Sequence, residues 1–234
     1  MLIKNMEKET HKKLLEYIIN KSNLFSLSIY SDQHLKKHRK RLNIIVSNSN
    51  YSKEKILSEY SNELKDEIYE QFKDNKKIFN QEYVNWFEKD SVIDKYYNRK
   101  SAIYSAIDSF VYENRTKRFL KKYKNNIVKD NETVFGEPID DFIPLCVTDY
   151  IFELNEEMIK VINEKDLIDW KYPNSLENLC FIKDNYYIFS SISHEDDYNI
   201  YCDNEEEYEY LKSIGVEFYE DHFVKEDKTF WTVS

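Results

Sequence analysis

The spacing of apolar side chains divides the first half of the chain into helices and short strands. Apolar residues recur every three or four positions along several segments, which is the period of an amphipathic helix. Helices are predicted at residues 6–21, from an N-cap at Ser52 to about residue 73, at 80–97 and at 101–124. Two segments have strand-like patterns instead, the alternating "LFSLSIY" at 24–30 and the apolar run at 42–46. The first half is therefore predicted to be helix-rich with a short β element.

A cluster of turn-forming residues separates this region from a second one. One glycine and two prolines fall within residues 125–145, and such residues concentrate where regular elements end. The balance of charged residues also changes sign there. We place a boundary near 130–140, which gives a basic, mostly helical region at 1–130 and an acidic α+β domain at 140–234.

The second region alternates between strand and helix patterns. Strands are predicted at 146–154, 178–183, 186–192, 198–202 and 216–220, and helices at 155–170 and from Asn204 to Gly215. The three strands between 178 and 202 are joined by short polar turns, which predicts an antiparallel meander. The expected fold class is α+β.

Charge is distributed very unevenly along the chain. Of its 234 residues, 1–130 carry 27 Lys and Arg against 18 Asp and Glu, a formal balance of +9. Residues 131–234 carry 7 against 26, a balance of −19. A small domain needs a net charge of only about 2–8 for solubility. The excess favours a partner of opposite charge over a purely solubilising role.

Composition excludes several classes of protein. Only two glycines occur in the chain, so backbone cradles for nucleotide phosphates are not expected, and no cofactor is predicted. The three cysteines, Cys146, Cys180 and Cys202, are widely spaced and odd in number, which does not suggest a disulfide framework or a zinc ribbon. The charged N-terminus and the lack of long apolar runs predict a soluble, cytoplasmic protein that does not associate with membranes.

Two histidine-containing segments are candidate chemical sites. His194 precedes Glu195, Asp196 and Asp197, and a His–carboxylate general base of a hydrolase or nuclease is one interpretation. An acidic turn between two strands is the other, and we favour it because no nucleophile or phosphate loop accompanies His194. His34 and His38 have helical spacing for a metal, but the surrounding lysines and arginines would repel a cation. No catalytic residue and no metal site is assigned.

The acidic segment is instead predicted to bind a protein. A surface rich in carboxylates and Tyr complements a basic surface and steers association electrostatically. The residues predicted to bind a basic toxin or nuclease are Glu195, Asp196, Asp197, Tyr198, Glu205, Glu206 and Tyr208. The leading hypothesis is therefore a non-enzymatic immunity-type or inhibitor protein.

The basic half supports an alternative hypothesis, in which it contacts nucleic acid and the acidic half is an autoinhibitor. Phosphate contacts would come from Lys36, Lys37, Arg39, Lys40, Arg41, Lys121 and Lys122. The same residues could also be solvated helix faces. In a third interpretation, the basic half docks against the acidic half of its own chain or of a second copy in a homodimer.

Residues 170–218 resemble a family of uncharacterised proteins from low-GC Gram-positive bacteria. The resemblance is carried by the pattern P-x-x-L-E-x-L-C-F at 173–181, by S-H-E at 193–195 and by "EEEYEYLKSIG" at 205–215. It lies within the last third of the chain and implies a bacterial or phage origin. It implies no activity, so the functional hypotheses depend on charge and on residue types.

Overall fold

The computed structural model describes most of the chain as two compact units. The described residues are 1–5, 8–31, 35–75, 77–79, 92–135, 145–192 and 195–233. The first unit comprises Met1–Ser31 together with Arg118–Ser234, and the second comprises Asp32–Lys117. Both ends of the chain therefore belong to one unit. This grouping differs from the predicted division into 1–130 and 140–234.

An antiparallel sheet forms the body of the first unit. Its strands are β1 (Leu2–Asn5), β2 (Leu24–Ser31), β3 (Ile127–Phe135), β4 (Leu145–Glu153), β5 (Glu177–Lys183), β6 (Tyr186–Ile192), β7 (Asp197–Ile200) and β8 (Glu217–Phe218). Within the described residues they lie in the order β3-β4-β2-β5-β6-β7-β1-β8. Strands β5, β6 and β7 are neighbours in this order, which confirms the predicted meander.

Seven α-helices occur in the described part of the chain. They are α1 (Lys8–Lys21), α2 (Leu35–Ser47), α3 (Lys53–Ser58), α4 (Asn62–Phe72), α5 (Val92–Lys122), α6 (Glu156–Asn163) and α7 (Glu205–Ser213). With the sheet they give the α+β fold that was predicted. None of the helices in this part of the chain is both long enough and apolar enough to cross a membrane.

The core of the first unit lies between one face of the sheet and three helices. Phe25 of β2 is opposite Phe152 on one side and Phe181 on the other. Their rings share a face because opposite residues in paired strands point to the same side. The rings of Phe25 and Phe152 stack with centroids 5.0 Å apart. Helices α1, α6 and α7 cover this face with the buried side chains Leu14, Ile18, Met158, Ile162, Tyr208 and Leu211.

The second unit is helical in its described part. Helices α2, α3 and α4 and most of α5 enclose a core that includes the fully buried Ile45, Ile56, Ile68, Ile103 and Ile107. Helices α2, α3 and α4 contribute one of these isoleucines each, and α5 contributes two that are four residues apart. Burial of this apolar area, rather than helix propensity, is what stabilises such short helices.

A buried ion pair links two helices of the second unit. Lys65 of α4 donates to Asp108 of α5 over 3.1 Å, and the two side chains are only 7% and 17% exposed. Tyr60 donates to the same Asp108 oxygen at 2.9 Å. The ammonium of Lys65 also lies 4.7 Å from the ring centroid of Tyr104. It lies 5.2 Å from the ring centroid of Tyr60 as well, so the lysine charge is balanced by one carboxylate and two aromatic faces.

The predicted strand at 42–46 was wrong. These residues lie in α2, where His38, Arg41, Leu42 and Ile45 are buried at helical spacing. The β-branched Ile44-Ile45-Val46 run favours a strand locally, but packing against α4 and α5 determines the outcome.

Other predicted elements differed in extent. The helix after Ser52 is interrupted, because Ser61 provides a second N-cap and its Oγ accepts from the N–H of Leu64. The helix predicted at 155–170 ends at Asn163. Strand β3 was not predicted, because its charged middle conceals the alternation. The predictions that fall on 80–91 and 136–144 lie outside the described residues.

Local signals in the second half were confirmed. Asp184 and Asn185 have φ of 49° and 66°, as a two-residue hairpin turn requires. The side chain of Asn204 accepts from the N–H of Glu207 at the start of α7. At its end, the N–H groups of Gly215 and Val216 donate to the carbonyls of Lys212 and Leu211, each at 3.0 Å. This is the double hydrogen bond of a Schellman cap.

Replacing Gly215 should destabilise the first unit. Its φ is +103°, and an added Cβ would lie 2.5 Å from Thr10 Oγ1. We expect Gly215→Ala to lower the free energy of unfolding by about 1–3 kcal/mol, measured by urea unfolding. Ser213→Ala, two residues earlier, is the control and should change it by less than about 0.5 kcal/mol. The double variant Gly215→Ala/Thr10→Ala removes the clash with Thr10 but keeps the unfavourable φ. It should therefore regain only the part of the unfolding free energy that the clash removes. Equal stability of Gly215→Ala and wild type would contradict this account.

Removing one partner of the buried ion pair should cost more than removing both. Asp108→Ala leaves the Lys65 ammonium buried without its carboxylate, and we expect a loss of about 3 kcal/mol in unfolding free energy. The double variant Lys65→Met/Asp108→Leu should lose less than the single one. Asp74→Ala, at an exposed carboxylate, serves as the control. A double variant less stable than Asp108→Ala would show that the pair contributes more than its desolvation costs.

Candidate functional site

The structure separates the predicted acidic residues into two groups. Glu195 and Asp196 are exposed in the turn before β7, where Lys171 Nζ lies 3.3 Å from Asp196 Oδ1. Asp197 is the half-buried first residue of β7. Glu205 and Glu206 open α7, beyond the far end of that strand. The strand alone spans about 13 Å, so the two groups do not form one continuous cluster.

The two tyrosines predicted to bind a partner belong to the core. Tyr198 and Tyr208 are only 6% and 2% exposed. Tyr198 packs on Phe189 with ring centroids 6.2 Å apart, and burial raises the pKa of Tyr198 to about 12. The hydroxyl of Tyr208 donates to the carbonyl of Glu220. Both side chains are part of the core of the first unit, so neither belongs to the candidate surface.

Helix α7 presents the second group in a defined geometry. Its first turn contains Glu205, Glu206 and Glu207, where the helix dipole favours negative charge. Glu207 turns back and accepts from the N–H of Asp203 at 3.0 Å. Glu205 and Glu206 remain exposed. The cap therefore positions two carboxylates toward solvent while using the third to stabilise the helix.

Helix α1 holds α7 in place. Lys21 donates to Glu207 and lies 3.7 Å from Asp203 Oδ2. Burial favours the neutral amine, but the bond to Glu207 and nearby charges hold the pKa of Lys21 above its ordinary value. Tyr17 packs on Tyr210 with ring centroids 5.3 Å apart, and burial raises the pKa of Tyr17 to about 12. Tyr210 itself is 48% exposed.

We name the exposed surface of α7 and its N-cap the acidic face, formed by Asp203, Glu205, Glu206, Glu209 and Tyr210. Asp203 forms an ion pair with Lys21, and Oε1 of Glu209 lies 3.4 Å from Nζ of Lys212. Within the described residues, no basic side chain reaches Glu205 or Glu206 at ion-pair distance. Those two carboxylates are available to a partner.

The division into units keeps the sign of the charge asymmetry but makes it smaller than the split along the chain. The first unit contains 17 Lys and Arg against 30 Asp and Glu, a formal balance of −13, whereas the second contains 17 against 14, a balance of +3. The acidic face therefore belongs to a unit whose whole field attracts cations.

The predicted basic residues are dispersed and partly neutralised. Arg39 forms a bidentate salt bridge with Glu113, in which its Nη2 lies 2.9 Å from Oε2. Arg41 is buried. Lys37 and Lys40 are exposed on α2, and the side chain of Lys36 lies outside the described part. Lys121 and Lys122 are exposed at the end of α5 and belong to the other compact unit. Of the predicted basic residues on α2 whose side chains are described, Lys37, Arg39 and Lys40 are exposed, and Arg39 is bonded to Glu113.

The histidines give no metal site in the described part of the chain. His34 and His194 lie outside the described residues. His38 is buried, with its Nδ1 2.7 Å from Ser109 Oγ. No three His, Cys, Asp or Glu side chains converge closely enough to hold an ion wherever the structure describes them. The His194 hydrolase hypothesis is therefore neither supported nor tested by the geometry.

Five residues of the site were missed from the sequence, namely Tyr17, Lys21, Asp203, Glu209 and Tyr210. Tyr17 and Lys21 are four residues apart on α1, a spacing that places them on one helix face. This four-residue spacing can be recognised in the sequence. Their partners on α7 are almost 190 residues away in the sequence, and no local pattern identifies them.

The chain matches no family model, no curated protein and no solved structure. The resemblance of residues 170–218 to uncharacterised bacterial proteins therefore stays a prediction. Functional inference depends on the geometry of the chain itself.

The thiols of Cys202, which is buried, and of Cys180, which is half-buried, should be chemically inert in the folded protein. Burial raises the pKa of Cys180 and of Cys202 to about 12. At pH 8 the thiolate fraction is then about a thousandfold below that of a free cysteine. In a Cys146→Ser background, we expect a thiol-specific reagent to label neither residue until the protein is unfolded. Labelling of native protein at the rate of free cysteine would contradict this.

The same thiols give a pH dependence with a definite sign. Because folding raises the pKa of each thiol, its contribution to stability is complete below the ordinary value of about 8.5. It is lost as the pH rises through about 12. Stability measured by urea unfolding should therefore fall above pH 9 more steeply in the Cys146→Ser protein than after a further Cys202→Ala change.

Proposed function

We propose that this protein is a non-enzymatic binding protein of the immunity or inhibitor type, and that its acidic face binds a basic protein such as a nuclease or toxin. The observation that supports the proposal best is the pair Glu205 and Glu206. Both are exposed and oriented by the Asn204 cap, and no basic side chain in the described residues reaches them.

The arrangement of α7 is suited to binding because little needs to be ordered on association. The helix is fixed at its start by Asn204, at its end by Gly215 and along one flank by Lys21. Tyr210 adds a half-exposed aromatic ring that is already supported by Tyr17. Preorganised side chains lose less conformational entropy on binding, and tyrosine is enriched among the residues that contribute most to interfaces.

The charge of the whole unit favours the same partner class. A unit of formal charge −13 attracts a basic protein over distances set by the ionic strength, about 8 Å at 0.15 M salt. This raises the association rate and suppresses acidic partners. The basic residues on α2 support nucleic-acid binding less well, since Arg39 is paired and Arg41 is buried.

Neutralising the acidic face should weaken capture of the partner. The wild-type protein and Glu205→Gln/Glu206→Gln/Glu209→Gln are immobilised, and a bacterial lysate is passed over each at low and at high salt. We expect a protein with pI above about 9 to bind wild type at low salt, to elute at high salt, and to bind the variant about tenfold less. Quantitative mass spectrometry measures the difference.

The matched control removes the same number of charges elsewhere on the unit. Glu156→Gln/Glu157→Gln/Glu164→Gln alters exposed carboxylates of α6 and the residue after it. It should retain the partner, because its acidic face is intact. Once purified, the partner should lose its activity on addition of one equivalent of wild type. The proposal fails if no captured protein distinguishes the α7 variant from this control.

A further inference from the structure

A groove runs between α1 and α6 on the side of α1 opposite to α7. Its volume is about 1020 Å³, and it is lined by Glu9, His11, Lys12, Leu15, Glu16, Ile19, Asn20, Ile159, Asn163, Lys165, Asp166 and Leu167. All of these residues belong to the first unit. The α1 residues that line it recur at three- and four-residue spacing, so they form one continuous helix face.

The floor of the groove is apolar. Leu15 and Leu167 are 5% and 1% exposed, whereas Ile19 and Ile159 are half-buried and retain surface toward the groove. Leu15 and Ile19 are one turn apart on α1. From residue 9 to residue 20, α1 extends about 17 Å, which is the length of three turns of a second helix. An elongated concave surface with such a floor is suited to an amphipathic helix.

The rim of the groove carries more negative than positive charge. Glu9 and Glu16 lie on α1, seven residues and about 10.5 Å apart, and Asp166 lies on the other wall. Lys12 lies between the two glutamates on α1 and carries a positive charge. The second lysine of the lining, Lys165, is placed over the ring of Trp170 at 4.9 Å.

Internal pairing leaves the Glu9 charge largely available. Lys13 Nζ is 3.2 Å from Glu9 Oε1, but the two side chains are 51% and 82% exposed. An ion pair so exposed contributes little and exchanges readily with another cation. The charge of −13 on the unit acts in the same direction.

We propose that this groove binds an amphipathic helix presented by the basic partner. Its apolar side chains would lie on Ile19 and Ile159, and two Lys or Arg seven residues apart would lie opposite Glu9 and Glu16. Lys12 requires a neutral or acidic side chain between those two cations. The inference rests on the proposed function in one respect, that the partner is basic, and it adds the structural class of the segment that is recognised.

Synthetic peptides test the groove directly. The probe is a helical peptide of about 15 residues with Leu at positions i, i+3, i+4 and i+7 and Lys at two flanking positions seven apart. A second peptide has the same composition in a scrambled order, and a third has Glu in place of Lys. We expect the first to bind at least about tenfold more tightly than the other two, as measured by fluorescence anisotropy at 0.15 M salt.

Substitutions in the groove locate the binding. Ile19→Glu and Ile159→Glu should each weaken binding at least about tenfold, whereas Ile192→Glu, at an isoleucine 38% exposed elsewhere on the unit, should not. Glu9→Lys/Glu16→Lys changes only exposed side chains, so folding is retained. It should weaken the Lys peptide and strengthen the Glu peptide. Glu205→Lys/Glu206→Lys makes the same charge change on α7 and should have little effect.

Each alternative outcome has a definite meaning. No binding of the Lys peptide, equal binding of the scrambled peptide, or an equal effect of the α7 reversal would overturn the groove proposal. The last two would show attraction by net charge alone. If the groove binds the peptide as expected but the α7 variants capture the basic partner normally, the groove proposal stands and the proposed role of the acidic face fails. The reverse pattern overturns only the groove.

Discussion

The pairing of β2 with β4 and β5 is the contact on which the first unit depends. Strand β2 lies near the start of the chain, yet its two neighbours in the sheet come more than a hundred residues later. The side chains of Ser28 and Asp149 are hydrogen-bonded across one of these pairs. Without β2 the sheet would be split into two pieces, and the ring contacts of Phe25 with Phe152 and Phe181 could not form. Such non-local pairing makes loop closure costly, because the whole second unit is synthesised between the paired strands.

This connectivity explains why the change in charge along the chain does not coincide with the division into the two compact units. The sign of the charge balance changes near residue 130, within β3. Strands β1 and β2 and helix α1 come from the basic half, but they fold with the acidic half. Lys21 is an example, since it neutralises Glu207 from across the chain. The basic residues of the N-terminal segment are therefore partly used inside the unit, and the carboxylates left over are found on its surface.

The sequence predicted the features that depend on a few adjacent residues. The caps at Asn155 and Asn204, the glycine that ends α7, and the turn at Asp184-Asn185 all follow from local backbone chemistry. Prediction was wrong at 42–46, where local β preference opposed helical burial of Leu42 and Ile45. Of the acidic face, the charge pattern identified Glu205 and Glu206 but missed Asp203 and Glu209. Tyr198 and Tyr208 were assigned to a surface that they do not reach. The alternation along a short strand such as β7, or the period of a short helix such as α7, shows that one set of residues is buried and cannot show which one.

Helix α1 connects the two proposed binding surfaces. One flank carries Tyr17 and Lys21, which fix α7, and another carries Leu15 and Ile19, which form the floor of the groove. The remaining face, with Leu14 and Ile18, is packed on the sheet. Because α1 is held by α7 on one flank and by the sheet on another, it keeps both surfaces at a constant separation, about one helix diameter of 10 Å. A single basic protein could then contact the acidic face with one element and the groove with another. The two contacts would reinforce each other as linked sites do, because binding at one raises the effective concentration at the other.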